Sequence, residues 1–279
     1  MISYILWDAS PEILTIPEFI GFGPFPVRWY GLLFAAGFLI GQQIMIHIFR
    51  KEGKTLEDID ALTLYMVLST VLGARIGHFL FYEPEVLFKN PLEVILPPYA
   101  GLASHGAVIG IITGLYLYSR SRQAKGQTFF WVADRMVITI ALGGAFIRFG
   151  NLMNSEIVGK PTDVPWGFIF LRNTEFLKIP RHPAQLYESI SCFVLTFILF
   201  AIWNKYKAAT PRGLMVGVFF VWVFTLRFLY EFLKENQEAF EANYALNMGQ
   251  ILSIPVVLLG IYFIWQAKSP RIPQQTAVH

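Results

Sequence analysis

An apolar run ends in arginine, asparagine and glutamate over Gly143-Gly144-Ala145-Phe146-Ile147-Arg148-Phe149-Gly150-Asn151-Leu152-Met153-Asn154-Ser155-Glu156. A guanidinium inside a membrane-spanning helix costs at least ~2 kcal/mol on insertion scales, so it is usually paired, solvated or functional. Arginine stays charged, and its planar fork binds phosphate oxygens in bidentate fashion. Asn151 lies one turn from Arg148, where its amide can share whatever the guanidinium holds or cap the helix end. Arg75, His105 and Arg227 also sit within apolar stretches. Arg227 and Glu231 are spaced i, i+4 and could pair directly on one helix face. His105 follows Gly101-Leu102-Ala103-Ser104; an imidazole there titrates near neutral pH and can take a proton from a nucleophile, or serve only as a hydrogen-bond post. The glycines after it, Gly106, Gly110 and Gly114, read as close helix packing. His78 and His47 read as structural. No metal constellation, Walker loop or Gly-x-Ser-x-Gly elbow is present, so neither metal nor cofactor is expected. The nucleophile then belongs to a substrate, and catalysis rests on positioning and on stabilising a leaving phosphate.

The elements that must carry these residues are membrane spans. Of 279 residues 55% are hydrophobic and 15% charged, and the mean hydropathy is +0.51, well outside the balance of a soluble domain. The net charge of +3 is not gathered into a basic run, which argues against nucleic acid as a partner. Cys192, the single cysteine, excludes a disulfide framework within the chain. Residues 1–26 carry Asp8, Glu12 and Glu18 with no basic stretch ahead of an apolar core, so they do not read as a cleavable signal peptide.

Stretches of about twenty apolar residues fall at 27–49, 59–82, 100–119, 131–149, 185–204, 213–234 and 247–267. The expected fold is an all-α polytopic membrane protein of seven transmembrane helices, a single domain over residues 1–279. Arg50, Lys51, Lys54, Arg120, Arg122, Lys125, Lys205, Lys207, Arg212, Lys268 and Arg271 flank one set of span ends; Lys89, Lys160, Arg172, Lys178 and Arg181 lie at the other. This bias puts the eleven inside and the five outside, with the N-terminus external and the C-terminus cytoplasmic. The connection at 150–184 between spans four and five is too long for a turn and should form a small external, periplasmic-side head. Within it Val164–Phe170 reads as a short strand.

Counted from each inner end at about 1.5 Å per residue, Arg75, His105, Arg148 and Arg227 rise roughly 22–26 Å. Tyr30, Gln185, Tyr187 and Gln250 come slightly further out, and Glu231 lies one turn above Arg227. Three arginines and a histidine at one depth, with few compensating acids, imply that an anion visits, and phosphate suits them. An arginine layer in a bundle also fits a transporter or flippase for an anionic lipid, or a scaffold that binds such a lipid without turnover. Against transport, no internal repeat appears and the layer is off-centre.

Trp29-Tyr30-Gly31, Gly73-Ala74-Arg75-Ile76-Gly77, Ser104-His105-Gly106, Arg148-Phe149-Gly150-Asn151 with Asn154, Glu156 and Gly159, Arg181-His182-Pro183-Ala184-Gln185-Leu186-Tyr187-Glu188, Arg227 with Glu231, and Met248-Gly249-Gln250-Ile251-Leu252-Ser253-Ile254-Pro255 together resemble the bacterial prolipoprotein diacylglyceryl transferase family. The likeness runs from about Val27 to Pro255. It implies a seven-span enzyme of the inner membrane that moves the diacylglyceryl group of phosphatidylglycerol onto the lipobox cysteine thiol of a preprolipoprotein, leaving a thioether and glycerol 1-phosphate. By the same resemblance Arg148 and Arg227 match essential arginines. Tyr30, His105, Asn151, Glu156, Gly159 and Glu231 match other functional positions. The expected catalytic set is His105, Arg148 and Arg227. The expected substrate-binding set is Tyr30, Arg75, Asn151, Asn154, Glu156, Gly159, Gln185, Tyr187 and Glu231. Two departures stand out: Lys234 where many relatives carry a further arginine, and Val223 where some carry tyrosine.

Overall fold

Long apolar runs fold as helices because hydrocarbon offers no partner to an unpaired backbone N–H. The computed structural model describes residues 4–18, 24–90, 92, 101, 103–235 and 246–268. Its helices are α1 (Trp29–Lys51), α2 (Leu56–Tyr82), α3 (Pro84–Lys89), α4 (Ser104–Arg122), α5 (Phe129–Met153), α6 (Ala184–Tyr206), α7 (Leu214–Tyr230) and α8 (Met248–Lys268). Six helical stretches, beginning at Trp29, Leu56, Phe129, Ala184, Leu214 and Met248, are long and apolar enough to cross a membrane. Residues such as Leu39, Phe197 and Leu258 stand well exposed on them, as a lipid-facing surface requires. The third expected span is a helix of 19 residues, α4. Its glycines, serines, Arg120 and Arg122 leave it outside that apolar group. Residue 100, where that span was expected to begin, Leu102 and Arg271 lie outside the described residues.

The all-α expectation holds for the membrane-crossing elements, and beside them four short strands occur among the described residues. Strand β1 (Ile5–Trp7) pairs in parallel with β4 (Phe168–Phe170), and β2 (Glu12–Ile16) pairs antiparallel with β3 (Phe25–Arg28). Segments of three to five residues carry too little periodicity to announce themselves. The strand expected within 164–170 is β4. The span expected at 213–234 runs Leu214–Leu233, with α7 ending at Tyr230 and the last turn, Glu231–Leu233, tightened to 3₁₀.

The chain divides into two compact units, Met1–Ile44 with Asp134–His279, and Met45–Ala133. In the smaller unit α2 and α4 meet through residues with almost no side chain. A Cβ on Gly106 would lie 2.3 Å from the Gly73 carbonyl oxygen, and one on Gly110 would lie 2.1 Å from that of Ser69. The start of α2 is closed by a capping box, Thr55 with Asp58. Asp58 also accepts from Lys125 Nζ at 2.8 Å.

In the larger unit Asp134, fully buried on α5, caps the start of α7. Its carboxylate accepts from the backbone N–H of Gly213 at 2.7 Å and of Met215 and Val216 at 3.0 Å. Helices α7 and α8 touch at Gly217 and Gly260, where either added Cβ would come within 2.9 Å of the other glycine's carbonyl oxygen. Above the helices Leu152, Val158, Phe168 and Phe170 form a small apolar core. Trp7 packs on it and donates its indole N–H to the Leu152 carbonyl at 3.0 Å.

Candidate functional site

The site in the larger unit begins where α5 runs out. Gly150 lets the first turn of α1 lie against it, since a Cβ there would come 2.7 Å from the Tyr30 ring. Beyond Met153 the chain reverses through Ser155 and Ile157, both in the left-handed region at φ +55° and +56°. Such a conformation costs a β-branched residue on the order of 1 kcal/mol and persists only where the surroundings hold it. Here the turn folds Glu156 back towards the helix end. Glu156 Oε1 accepts from Asn151 Nδ2 at 2.6 Å and from Asn154 Nδ2 at 3.2 Å. Its main-chain carbonyl accepts from Gln185 Nε2 on α6. Four of the expected binding residues thus form one hydrogen-bonded group.

Arg148 stands between two partners. Its Nη1 donates to Asn151 Oδ1 at 3.4 Å, and its Nε lies 2.5 Å from Glu188 Oε2 on α6. The second contact is one of charge without hydrogen-bond alignment, since Oε2 receives no aligned donor. The other oxygen of Glu188 pairs with Lys234 Nζ, which also lies 3.9 Å from Glu231 Oε1. Glu231 Oε2 in turn accepts from Asn247 Nδ2 at 3.0 Å. Gln250 Nε2 donates to the Phe228 carbonyl at 3.3 Å, tying α8 to α7.

Glu188 is the residue that sequence reasoning missed. It was present in the Arg-His-Pro motif, and its position three residues after Gln185 puts both on one helix face. Within this cluster the carboxylates of Glu156, Glu188 and Glu231 accompany the cations of Arg148 and Lys234. The expectation of few compensating acids is therefore corrected within this unit. The possible Arg227–Glu231 pair is not made either. Because α7 tightens at Glu231, that carboxylate turns to Lys234 and Asn247. Arg227 is exposed and forms no ion pair among the described residues.

Gly159 is hemmed in by main chain on two sides. A Cβ would come 2.6 Å from His182 and 2.7 Å from the Leu233 carbonyl oxygen. Its N–H donates to the His182 carbonyl at 2.9 Å, and the next N–H, of Lys160, donates to Leu233 at 2.7 Å. Arg181 Nη1 donates to the Gly159 carbonyl at 3.1 Å and meets Glu235 Oε1 at 2.6 Å. Tyr187 lies in the first turn of α6. Its Oη accepts from Trp166 Nε1 at 2.9 Å and faces His182 Nδ1 at 3.3 Å. Burial holds the His182 imidazole below its ordinary pKa, so the neutral ring is favoured. A cavity of about 490 Å³ opens beside Tyr30, lined by Phe25, Val27, Leu32 and Asn154 among others. Asn154 Oδ1 is buried there with no donor among the described residues.

Arg75 and His105 belong to the smaller unit. Arg75 is 5% exposed, donates to the Gly101 carbonyl at 3.2 Å and lies with Cζ 4.7 Å from the centre of the Phe79 ring. His105 is exposed in the first turn of α4, with its ring 5.0 Å from that of Phe81 and 5.8 Å from that of Tyr82. His78 Nε2 is 3.6 Å from Glu83 Oε1.

Comparison with known proteins bears on what this arrangement does. The family described as prolipoprotein diacylglyceryl transferase matches residues 17–266. A phosphatidylglycerol–prolipoprotein diacylglyceryl transferase of Chloroherpeton thalassium is 46% identical over 276 residues, which covers 99% of this chain and 98% of that protein. Proteins of the same name from Tolumonas auensis and Porphyromonas gingivalis are 42% and 40% identical, over 92% and 98% of this chain and 95% and 98% of their own lengths.

Proposed function

We infer the activity from one premise: this chain belongs to the prolipoprotein diacylglyceryl transferase family. It is a transferase that moves the diacylglyceryl group of phosphatidylglycerol onto prolipoproteins. The observation that carries the reading to particular residues is Arg148, anchored at Nε and Nη1 by Glu188 and Asn151, with Nη2 unengaged among the described residues. A guanidinium held this way is an oriented donor for a phosphate oxygen. Phosphatidylglycerol enters sideways from the bilayer, and its phosphate lodges on Arg148 and Arg227 with Asn151 and Tyr30 orienting it. The acceptor is the lipobox cysteine of a preprolipoprotein signal peptide. Its thiol gives up a proton, and the thiolate, the competent nucleophile, attacks the glyceryl carbon that bears the phosphate. A carbon–sulfur bond forms as the carbon–oxygen bond breaks, and glycerol 1-phosphate leaves with the electron pair. The arginines stabilise that leaving group. His105 is the proton acceptor of choice, supported by its match to the family position.

The wider setting follows the same reading: the bacterial inner membrane, one integral membrane domain, an external N-terminus and a cytoplasmic C-terminus. Helix α4 is the third span and brings their number to seven, supported by its 19 residues and by the alternation of basic residues along the chain. The segment 150–184 is the external head. Purified protein is mixed with phosphatidylglycerol and a lipobox peptide, and mass spectrometry follows the peptide. The expected result is a diacylglyceryl mass shift that vanishes when the peptide cysteine becomes serine. Lipid movement across vesicles with no adduct would point instead to a transporter.

A further inference from the structure

Glu188 presents one carboxylate oxygen to each of two cations. Oε2 faces Arg148 Nε at 2.5 Å, and Oε1 pairs with Lys234 Nζ. The carboxylate and the lysine are 8% and 5% exposed, so neither charge is shared with bulk water. A carboxylate beside an arginine and free of other cations closes on the guanidinium with both oxygens. Lysine 234 stands in the way of that closure. With Oε1 engaged by its ammonium, Glu188 reaches only one nitrogen of Arg148, and Asn151 takes a second at 3.4 Å. The third, Nη2, faces no acceptor among the described residues.

We propose that Glu188 and Lys234 are a positioning pair for the donor lipid: Lys234 draws Glu188 off the edge of the Arg148 guanidinium, so that Nη2 stays open to a phosphate oxygen. The inference rests on the functional reading above and deepens it. Lysine suits the task because a compact ammonium takes one oxygen as a point charge. The pairing also explains how an arginine with a buried acid at its side remains an anion receptor. Without Lys234 the acid becomes the anion, and the lipid has to displace it.

The test uses the full chain in phosphatidylcholine nanodiscs doped with increasing phosphatidylglycerol, with lipid binding and transfer to a lipobox peptide measured in parallel. Lys234→Met should raise the KM and the binding constant for phosphatidylglycerol by about tenfold to a hundredfold, the worth of a charge-assisted hydrogen bond. The KM for the peptide should stay unchanged. Lys234→Arg should recover most of the loss. Adding Glu188→Gln to Lys234→Met should also lower the phosphatidylglycerol KM again, because a neutral amide does not lock the fork. A purely structural role for the pair predicts the reverse, with the double variant no better than the single one and melting at a lower temperature. An unchanged phosphatidylglycerol KM in Lys234→Met, or a double variant as impaired as the single, overturns the proposal. Wild-type protein that binds phosphatidylglycerol yet transfers nothing would overturn the functional reading, while the binding constants still decide this one.

Discussion

Arg148 carries the sharpest residue-scale claim, because each of its contacts fixes the direction of a remaining N–H. Arg148→Lys keeps the charge but cannot meet Glu188, Asn151 and a phosphate together. Transfer should fall about 10²- to 10³-fold, as when one oriented oxyanion donor is lost, with the melting temperature nearly unchanged. Turnover together with thermal unfolding checks this. His105→Gln should cost about 10²-fold in turnover, the worth of a positioned proton acceptor. A near-normal rate would return His105 to the role of a hydrogen-bond post. At this scale the sequence exposed what is costly in hydrocarbon: Arg148, Asn151 and Arg227 stand out against apolar neighbours. Pairing stayed hidden. Glu188 lies 40 positions from Arg148, and nothing local in the Arg-His-Pro motif says that its carboxylate is shared with Lys234. Lys234 stands out in the sequence only as a replacement for an arginine, whereas the geometry uses its single point contact with Glu188.

Among the elements, the helices were legible and the ends and strands were not. Apolar length alone located α1, α2 and α5 to α8 to within a few residues, since the bilayer imposes that length. Strands β1 and β4 pair across some 160 residues, a contact no window reveals. The early tightening of α7 goes with contacts of Glu231 to Lys234 and Asn247, which are tertiary information. One element-scale dependence is testable apart from chemistry. Asp134 satisfies three N–H groups at the start of α7, donors that would otherwise be buried without partners. Asp134→Ala should destabilise the protein by about 1–3 kcal/mol, seen as a lower unfolding midpoint in detergent. Asp134→Asn, which keeps the acceptor oxygen, should lose less.

For the whole molecule the claim to test is which side each end faces. The charge bias predicts that the turn near Lys125 is cytoplasmic and the segment near Trp166 external. Cys192 is the sole cysteine, so Cys192→Ser gives a clean background for single cysteines placed at 124 and 166. In intact cells an impermeant maleimide should label position 166 and spare 124 until the membrane is opened. Labelling in the opposite order would invert the topology. The composition made the membrane class plain, while the division into units Met1–Ile44 with Asp134–His279 and Met45–Ala133 had no signature of its own, because both boundaries fall inside continuous helices.

Gly159 touches the main chain of two other segments at distances no methyl group can share. In a saturation library scored for lipoprotein maturation, position 159 should therefore tolerate no replacement at all, alanine included. The exposed apolar positions of α8 should by contrast accept almost any greasy substitute. A tolerance map of that kind would trace the seam between 159–160 and 233–234 without a single lipid being resolved.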